Sequence, residues 1–281
     1  MHQAQCLCGS VRWQYSGKPE WGHHCHCTMC RKAHGAAFGS YYGVDAKNFQ
    51  WLGDTDTISH YRSSDTLTRD FCHQCGSVVP AFSDDGQSVF IPAGNHDTGY
   101  AIDSHIFVAS KAPWYDITDK LPQSDEYEPD DPLSKSYNHQ SSAPPTDQGI
   151  RGSCLCDAIN FVVREPFKVI HNCFCSRCRK ARSAVHTTNG FTSDEGVIFT
   201  KGEHLVTLYR VPDAQFFTHA FCSQCGSGMP RIDNQRHLAI VPIGALDDDP
   251  GSRAVDNLYS GNKPEWFEIT GPLPTFEEGP A

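Results

Sequence analysis

Seven cysteines, at Cys6, Cys8, Cys25, Cys27, Cys30, Cys72 and Cys75, return in the same order at Cys154, Cys156, Cys173, Cys175, Cys178, Cys222 and Cys225. The offset between the sets is constant for the first five and two residues longer for the last pair. Neighbours repeat with them: Cys30-Arg31-Lys32-Ala33 matches Cys178-Arg179-Lys180-Ala181, and Phe71-Cys72-His73-Gln74-Cys75-Gly76-Ser77 matches Phe221-Cys222-Ser223-Gln224-Cys225-Gly226-Ser227. A repeat this long, carrying its own internal spacing, is a duplicated domain and not a short solenoid unit. The two sets account for all fourteen cysteines of the 281-residue chain.

The repeat divides the chain into residues 1–122, a connecting segment 123–149 and residues 150–281. The connector holds Pro129, Pro132, Pro144 and Pro145, several serines and almost no apolar residue, and its six acids face the single base Lys135. Such a composition cannot bury enough apolar surface to fold alone and reads as a solvated acidic tether. The net charge of −10 argues against a general nucleic-acid binder, whose affinity comes mostly from neutralising phosphates with Lys and Arg. No apolar run approaches the length of a bilayer span, and no basic-then-apolar stretch opens the chain, so neither a membrane protein nor a secreted one is expected.

Segments such as Ser10 to Tyr15, Ser88 to Pro92, Ile106 to Ala109, Ile159 to Val163 and His237 to Val241 are short, β-branched or aromatic, and bounded by turn formers, which predicts strands. Long helical periodicity is absent. Each half is expected to be mainly β, with the cysteine pairs at turns.

An odd number of cysteines per half, with Cys-x-Cys spacing, fits a disulfide framework poorly and a metal framework well. The pair Cys72 and Cys75, followed by a turn-forming glycine, is half of a tetrahedral zinc site. Pairing it with the terminal Cys6 and Cys8 closes one loop of the domain and uses four thiolates in a closed, structural site. Cys25, Cys27 and Cys30 remain, close enough to hold a second zinc on three sides and to leave one position open. The same subtraction makes Cys154, Cys156, Cys222 and Cys225 structural in the second half and leaves Cys173, Cys175 and Cys178 as the open trio. A histidine could instead close each trio; His23 and His171, two residues before the first cysteine, hold the same register in both halves.

A zinc held by three thiolates is a weak Lewis acid and suits a soft fourth ligand. A substrate thiol there would ionise well below its usual pKa of roughly 8.5 and could add to a small electrophilic carbonyl. This points to carbon–sulfur lyase chemistry run in either direction.

At this point the residues resemble a known family, the glutathione-dependent formaldehyde-activating enzymes, which include centromere protein V. The matching features are Cys-x-Cys, Cys-x-Cys-x-x-Cys-Arg-Lys, Phe-Cys-x-x-Cys-Gly-Ser, a Pro-x-Gly segment at Pro92 and Pro242, and Lys-x-x-Trp at Lys111 and Lys263. The resemblance implies two tandem zinc-pinned, β-tent-like domains and the same division into structural and catalytic cysteines, with up to four zinc ions per chain. It further implies glutathione or another thiol as co-substrate and a small electrophile such as formaldehyde. The contrasting expectation is a non-catalytic, zinc-stabilised binding or chaperone module in which every site is structural.

Arg31 with Lys32, and Arg179 with Lys180, are expected to hold a carboxylate of a glutathione-like substrate. Trp114 and Trp266, with Lys111 and Lys263, are candidates for the pocket wall, and His24, His26 and His34 for proton relay. The halves diverge after the trio: Ala33-His34-Gly35-Ala36-Ala37-Phe38 in the first, Ala181-Arg182-Ser183-Ala184-Val185-His186 in the second. If only one site is active, the first is favoured, and the second then packs against it as a pseudo-dimer partner. Reduced thiolates require a reducing compartment, which predicts the cytoplasm.

Overall fold

The computed structural model describes residues 1–97, 99–127, 141, 144 and 146–279. Residues 128–140, 142, 143 and 145 of the predicted tether lie outside the described residues. The first half builds three sheets. One joins β1 (His2–Gln5), β2 (Arg12–Tyr15) and β5 (Phe49–Trp51); a second joins β6 (Ile58–Ser64), β7 (Leu67–Cys72) and β8 (Val78–Val79). The largest has the order β11-β3-β4-β10-β9, with β3 (Trp21–Cys25), β4 (Gly39–Asp45), β9 (Ala81–Phe82), β10 (Ser88–Pro92) and β11 (Ser104–Ile106). Its one parallel pair is β11 against β3.

The second half repeats this plan. β12 (Ile150–Ser153), β13 (Asn160–Val163) and β16 (Val197–Lys201) form the small sheet, and β17 (Val206–Arg210) pairs with β18 (Thr218–Cys222). The large sheet is β19 (Arg231–Asp233), β20 (Leu238–Pro242), β15 (Thr187–Thr192), β14 (Val169–Cys173) and β21 (Asn257–Leu258), in that order, again with one parallel pair. The chain is mainly β, as its sequence predicts.

Alternation places the apolar set inward: Trp13 and Tyr15 on β2, Val89 and Ile91 on β10, Ala239 and Val241 on β20 are all buried. One predicted strand is cut short. β11 stops at Ile106 because Phe107 adopts a left-handed conformation (φ 57°) that turns the chain into a 3₁₀ turn at Val108–Ser110. Tyr259 makes the same turn in the second half. The sequence also hides two helices, α1 (Thr28–His34) and α2 (Ser176–Arg182), each too short for a periodic signal. They stop at Gly35 (φ 55°) and Ser183 (φ 51°). The start of the predicted tether is built into the first half, since the Ser124 N–H donates to His105 O and Val108 N–H to Ser124 O.

The halves share a buried cluster, beside a second one whose buried members, Trp13, Tyr15 and Ile91 among them, all come from the first half. Met29, Phe38 and Trp114 of the first pack in the same buried cluster as Val185, Met229 and Ile243 of the second. The contacts across the seam come in reciprocal pairs. A Cβ on Gly94 would lie 2.3 Å from the Ala184 backbone, and one on Gly244 would lie 2.4 Å from that of Ala36. Thr118 and Thr270, which correspond in the repeat, meet hydroxyl to hydroxyl at 2.6 Å.

Candidate metal centres and the pocket of the first half

The sulfurs of Cys6, Cys8, Cys72 and Cys75 lie within 4.8 Å of one another, as do those of Cys154, Cys156, Cys222 and Cys225. Each set joins the turn before β2 or β13 to the turn after β7 or β18. Gly76 (φ 74°) and Gly226 (φ 73°) follow the last cysteine, where a side chain would be strained and would also strike Phe221 or Phe71 of the other half. The Val11 N–H donates to Cys6 Sγ (3.4 Å) and the Ile159 N–H to Cys154 Sγ (3.2 Å). Hydrogen bonding among the crowded sulfurs, with burial, pushes Cys6 and Cys222 well above the ordinary thiol range. A divalent cation at the common point would supply the missing positive charge and displace those protons. Four sulfurs with supporting N–H donors fit a closed tetrahedral zinc site.

The trios form where β3 and β14 run into their helices. Cys25 and Cys173 end the strands, and Cys27 and Cys175 cap the helices, their sulfurs accepting from the N–H of Cys30 and Cys178 at 3.3 Å. The three sulfurs of each trio lie within 4.8 Å of one another, a donor set that fits zinc with one position unfilled by protein sulfur. The first trio is buried, and Cys173, Cys175 and Cys178 are half-buried.

Cys25, Cys27 and Cys30 form the floor of a pocket of about 100 Å³. Its walls include Trp21, His23, Tyr41, Arg69 and Tyr127. Arg69, from β7, donates through Nη2 to Cys30 Sγ (3.4 Å) and through Nη1 to the Tyr41 hydroxyl (3.2 Å). Burial works against the Arg69 charge, but Cys30, Tyr41 and Cys27 more than offset it and hold the guanidinium protonated. The Tyr41 hydroxyl is also 2.6 Å from His34 Nε2, and His34 Nδ1 is 2.6 Å from the carbonyl of Arg182 in the other half. A carbonyl can only accept, so Nδ1 carries the proton, Nε2 accepts, and Tyr41 donates to it. Burial pulls the His34 pKa down to about 4, so the ring is neutral near pH 7.

The second half replaces all three members of this chain. Arg182 stands at the position of His34, Asn189 at that of Tyr41 and His219 at that of Arg69. Histidine and arginine have exchanged places. Among the described residues Arg182 is buried without a carboxylate partner and its Nη1 is unpaired, and burial lowers its pKa to about 10 against the opposing pull of Cys178. Gly35 and Gly228 make room for it: a Cβ on either would lie 2.1 or 1.6 Å from Arg182 Nη1. Asn189 bonds Thr187 instead (2.9 Å), and His219 donates to the Cys75 carbonyl (2.8 Å).

Several residues singled out in the sequence lie elsewhere. Lys32 points into the second half, where it pairs with Asp247 (2.6 Å) and donates to Ser153 and Ala245. Arg179 points into the first, donating to Gly94 O (2.9 Å) and to Asp97. Both bases join the halves, and neither lines the pocket of the first trio, because each short helix lies on the seam. Arg31 is half-buried, its Nε unpaired among the described residues, and the Lys180 carbonyl accepts from Ser77 across the seam (2.7 Å). His23 Nδ1 is bonded to Ser104 (2.7 Å) and His171 Nδ1 to Asp256 (2.6 Å), and neither ring joins the sulfur clusters. Lys111 and Lys263 bond the Tyr115 and Phe267 carbonyls of their own turns. Trp114 belongs to a different cavity, of about 200 Å³, on the seam, and Trp266 donates to the His96 carbonyl (3.1 Å). Of the three candidate relay histidines, His34 reaches the trio pocket through Tyr41. His26 bonds His105 (2.8 Å) and His24 bonds Ser40 (2.8 Å).

Sequence reasoning missed Arg69 and Tyr41, which sit inside strands and in no motif. The signal was the comparison of the halves at positions 34, 41 and 69, which change together.

Among the described residues no helix is long and apolar enough to cross a membrane. A crystal structure of a Rhodobacter sphaeroides protein, a Northeast Structural Genomics target, is similar at 22% identity over 37% of this chain and 98% of that one, with a TM-score of 0.28. No curated protein matches the chain. Residues 1–110 and 149–262 both match the family model described as glutathione-dependent formaldehyde-activating enzyme. With the two matches covering most of its length, the chain belongs to that family and carries two tandem copies of its domain.

Proposed function

We propose that the first half is a carbon–sulfur lyase that reversibly adds a thiol, glutathione or a relative of it, to formaldehyde or a related small electrophile. The observation that carries this reading is the buried trio Cys25, Cys27 and Cys30 at the floor of a walled pocket. These three sulfurs would hold zinc, which when bound lowers the pKa of a thiol placed on it. Cys6, Cys8, Cys72 and Cys75, and their four counterparts in the second half, would hold zinc as closed structural sites. The pocket walls exclude water from the adduct, and Arg69 supplies positive charge where the carbonyl oxygen becomes negative. Free thiols at all fourteen positions fit a reducing compartment such as the cytoplasm.

The second half is the structural partner. Its trio, Cys173, Cys175 and Cys178, keeps the sulfurs, while Asn189 and His219 replace the phenol and the guanidinium of the first pocket. NMR exchange spectroscopy of formaldehyde with glutathione tests both statements. The wild type and Cys175→Ala are expected to exchange alike, and Cys27→Ala to fall to the uncatalysed rate. Equal loss in both variants would assign the reaction to both halves, and no exchange in the wild type would overturn the reading.

A further inference from the structure

We propose that Tyr41 is the proton-transfer residue of the first pocket, driven by His34 and held by Arg69. The inference rests on the lyase reading and adds to it the group that moves the proton. Tyr41 faces the pocket floored by the trio, and its hydroxyl accepts from Arg69 while donating to His34 Nε2. The Arg182 carbonyl fixes the His34 tautomer so that Nε2 is free to take a proton, and it accepts from the imidazolium that results.

The reaction balances without a further reactant. As the thiol enters, its S–H bond breaks; the proton goes to the Tyr41 oxygen, and the Tyr41 proton moves to His34 Nε2. The sulfur then attacks the carbonyl carbon, a C–S bond forms, and the π pair of the C=O bond moves to oxygen. His34 returns its proton to Tyr41 as Tyr41 gives one to that oxygen, leaving a hydroxyl. Thiol and aldehyde become a hemithioacetal with both residues restored. The reverse direction takes the hydroxyl proton by the same path. Arg69 positions Tyr41 and faces the developing charge on oxygen, His34 relays the proton, and Tyr41 is the group that exchanges it with substrate.

Two variants separate the relay from mere packing. Tyr41→Phe keeps the ring and loses the proton, and is expected to slow formaldehyde–glutathione exchange by on the order of 100-fold or more. His34→Gln can still accept the Tyr41 hydrogen bond but cannot carry a proton, and is expected to slow exchange to a similar degree. In both, the glutathione-induced change in the thiolate-to-cobalt absorption of cobalt-substituted protein should persist, which reports an intact thiol site. Wild-type exchange in either variant would overturn the proposal. If the wild type itself shows no exchange, the lyase reading fails and the relay is still decided by ¹⁵N NMR of the histidine side chains. There, His34 should be protonated at Nδ1 only, and its Nε2 signal should move in Tyr41→Phe; an unmoved signal would overturn the hydrogen-bond chain.

Discussion

His34 and Arg182 hold the same position in the two halves, and they touch each other: the His34 Nδ1–H donates to the Arg182 carbonyl at 2.6 Å. The Arg182 side chain meanwhile fills the space that Gly35 and Gly228 leave open. Gly35→Ala should therefore cost about 2–4 kcal/mol, from left-handed strain and overpacking together. In an Arg182→Ala background the overpacking is gone and the cost should fall to about 1–2 kcal/mol. Urea denaturation of the four proteins of this cycle reads the difference; equal costs would show that Arg182 does not press on Gly35.

Lys32 and Asp247 form a buried ion pair between halves, 4% and 8% exposed. Removing one partner strands the other, so Lys32→Met should destabilise by about 3–5 kcal/mol. Lys32→Met with Asp247→Leu should recover most of that loss. Lys180→Met, at the matching position with no such pair among the described residues, should change stability by about 0.5 kcal/mol or less. Chemical denaturation curves for the three variants check the order.

Burial depresses several histidines below their ordinary pKa of 6.5: His34 and His186 to about 4, and His26, His96 and His219 to about 3. Between about pH 6.5 and pH 4 the unfolded chain binds protons at these rings and the native chain does not. Stability should then be fully present above pH 6.5 and fall steadily as the pH drops through this window. Denaturation at pH 7, 6 and 5, with zinc content followed in parallel, tests this. A flat profile above the pH at which metal leaves would contradict it.

Metal content should report the four sulfur clusters separately. Protein purified without chelator is expected to carry close to four zinc ions, and Cys27→Ala and Cys175→Ala to lose one each, with little change in melting temperature. Cys72→Ala or Cys222→Ala should lose one ion and also lower the melting temperature sharply, since those sites close the ends of each half. Atomic absorption and thermal unfolding on the same samples give both readouts.

The four sulfur clusters were legible because spacing alone encodes them: Cys-x-Cys, Cys-x-Cys-x-x-Cys and Cys-x-x-Cys are local, and subtraction pairs the distant sets. Strands such as Ser88–Pro92 were legible for a similar reason, a short alternating run between turn formers. Lys32 and Arg179 were misplaced because a seven-residue helix gives no periodic signal, so nothing in the sequence says which face of α1 or α2 meets the other half. Arg69 and Tyr41 lay on β7 and β4, and only the register of three separate elements brings them to Cys30.

The reciprocal contacts of the seam are those of an isologous dimer written into one polypeptide. In a dimer of identical subunits every substitution appears twice, and histidine on one side of the axis could not face arginine at the same position on the other. Covalent fusion removes that restriction. One side of the axis can keep a reactive phenol and imidazole while the other side, free of that duty, specialises in holding them still.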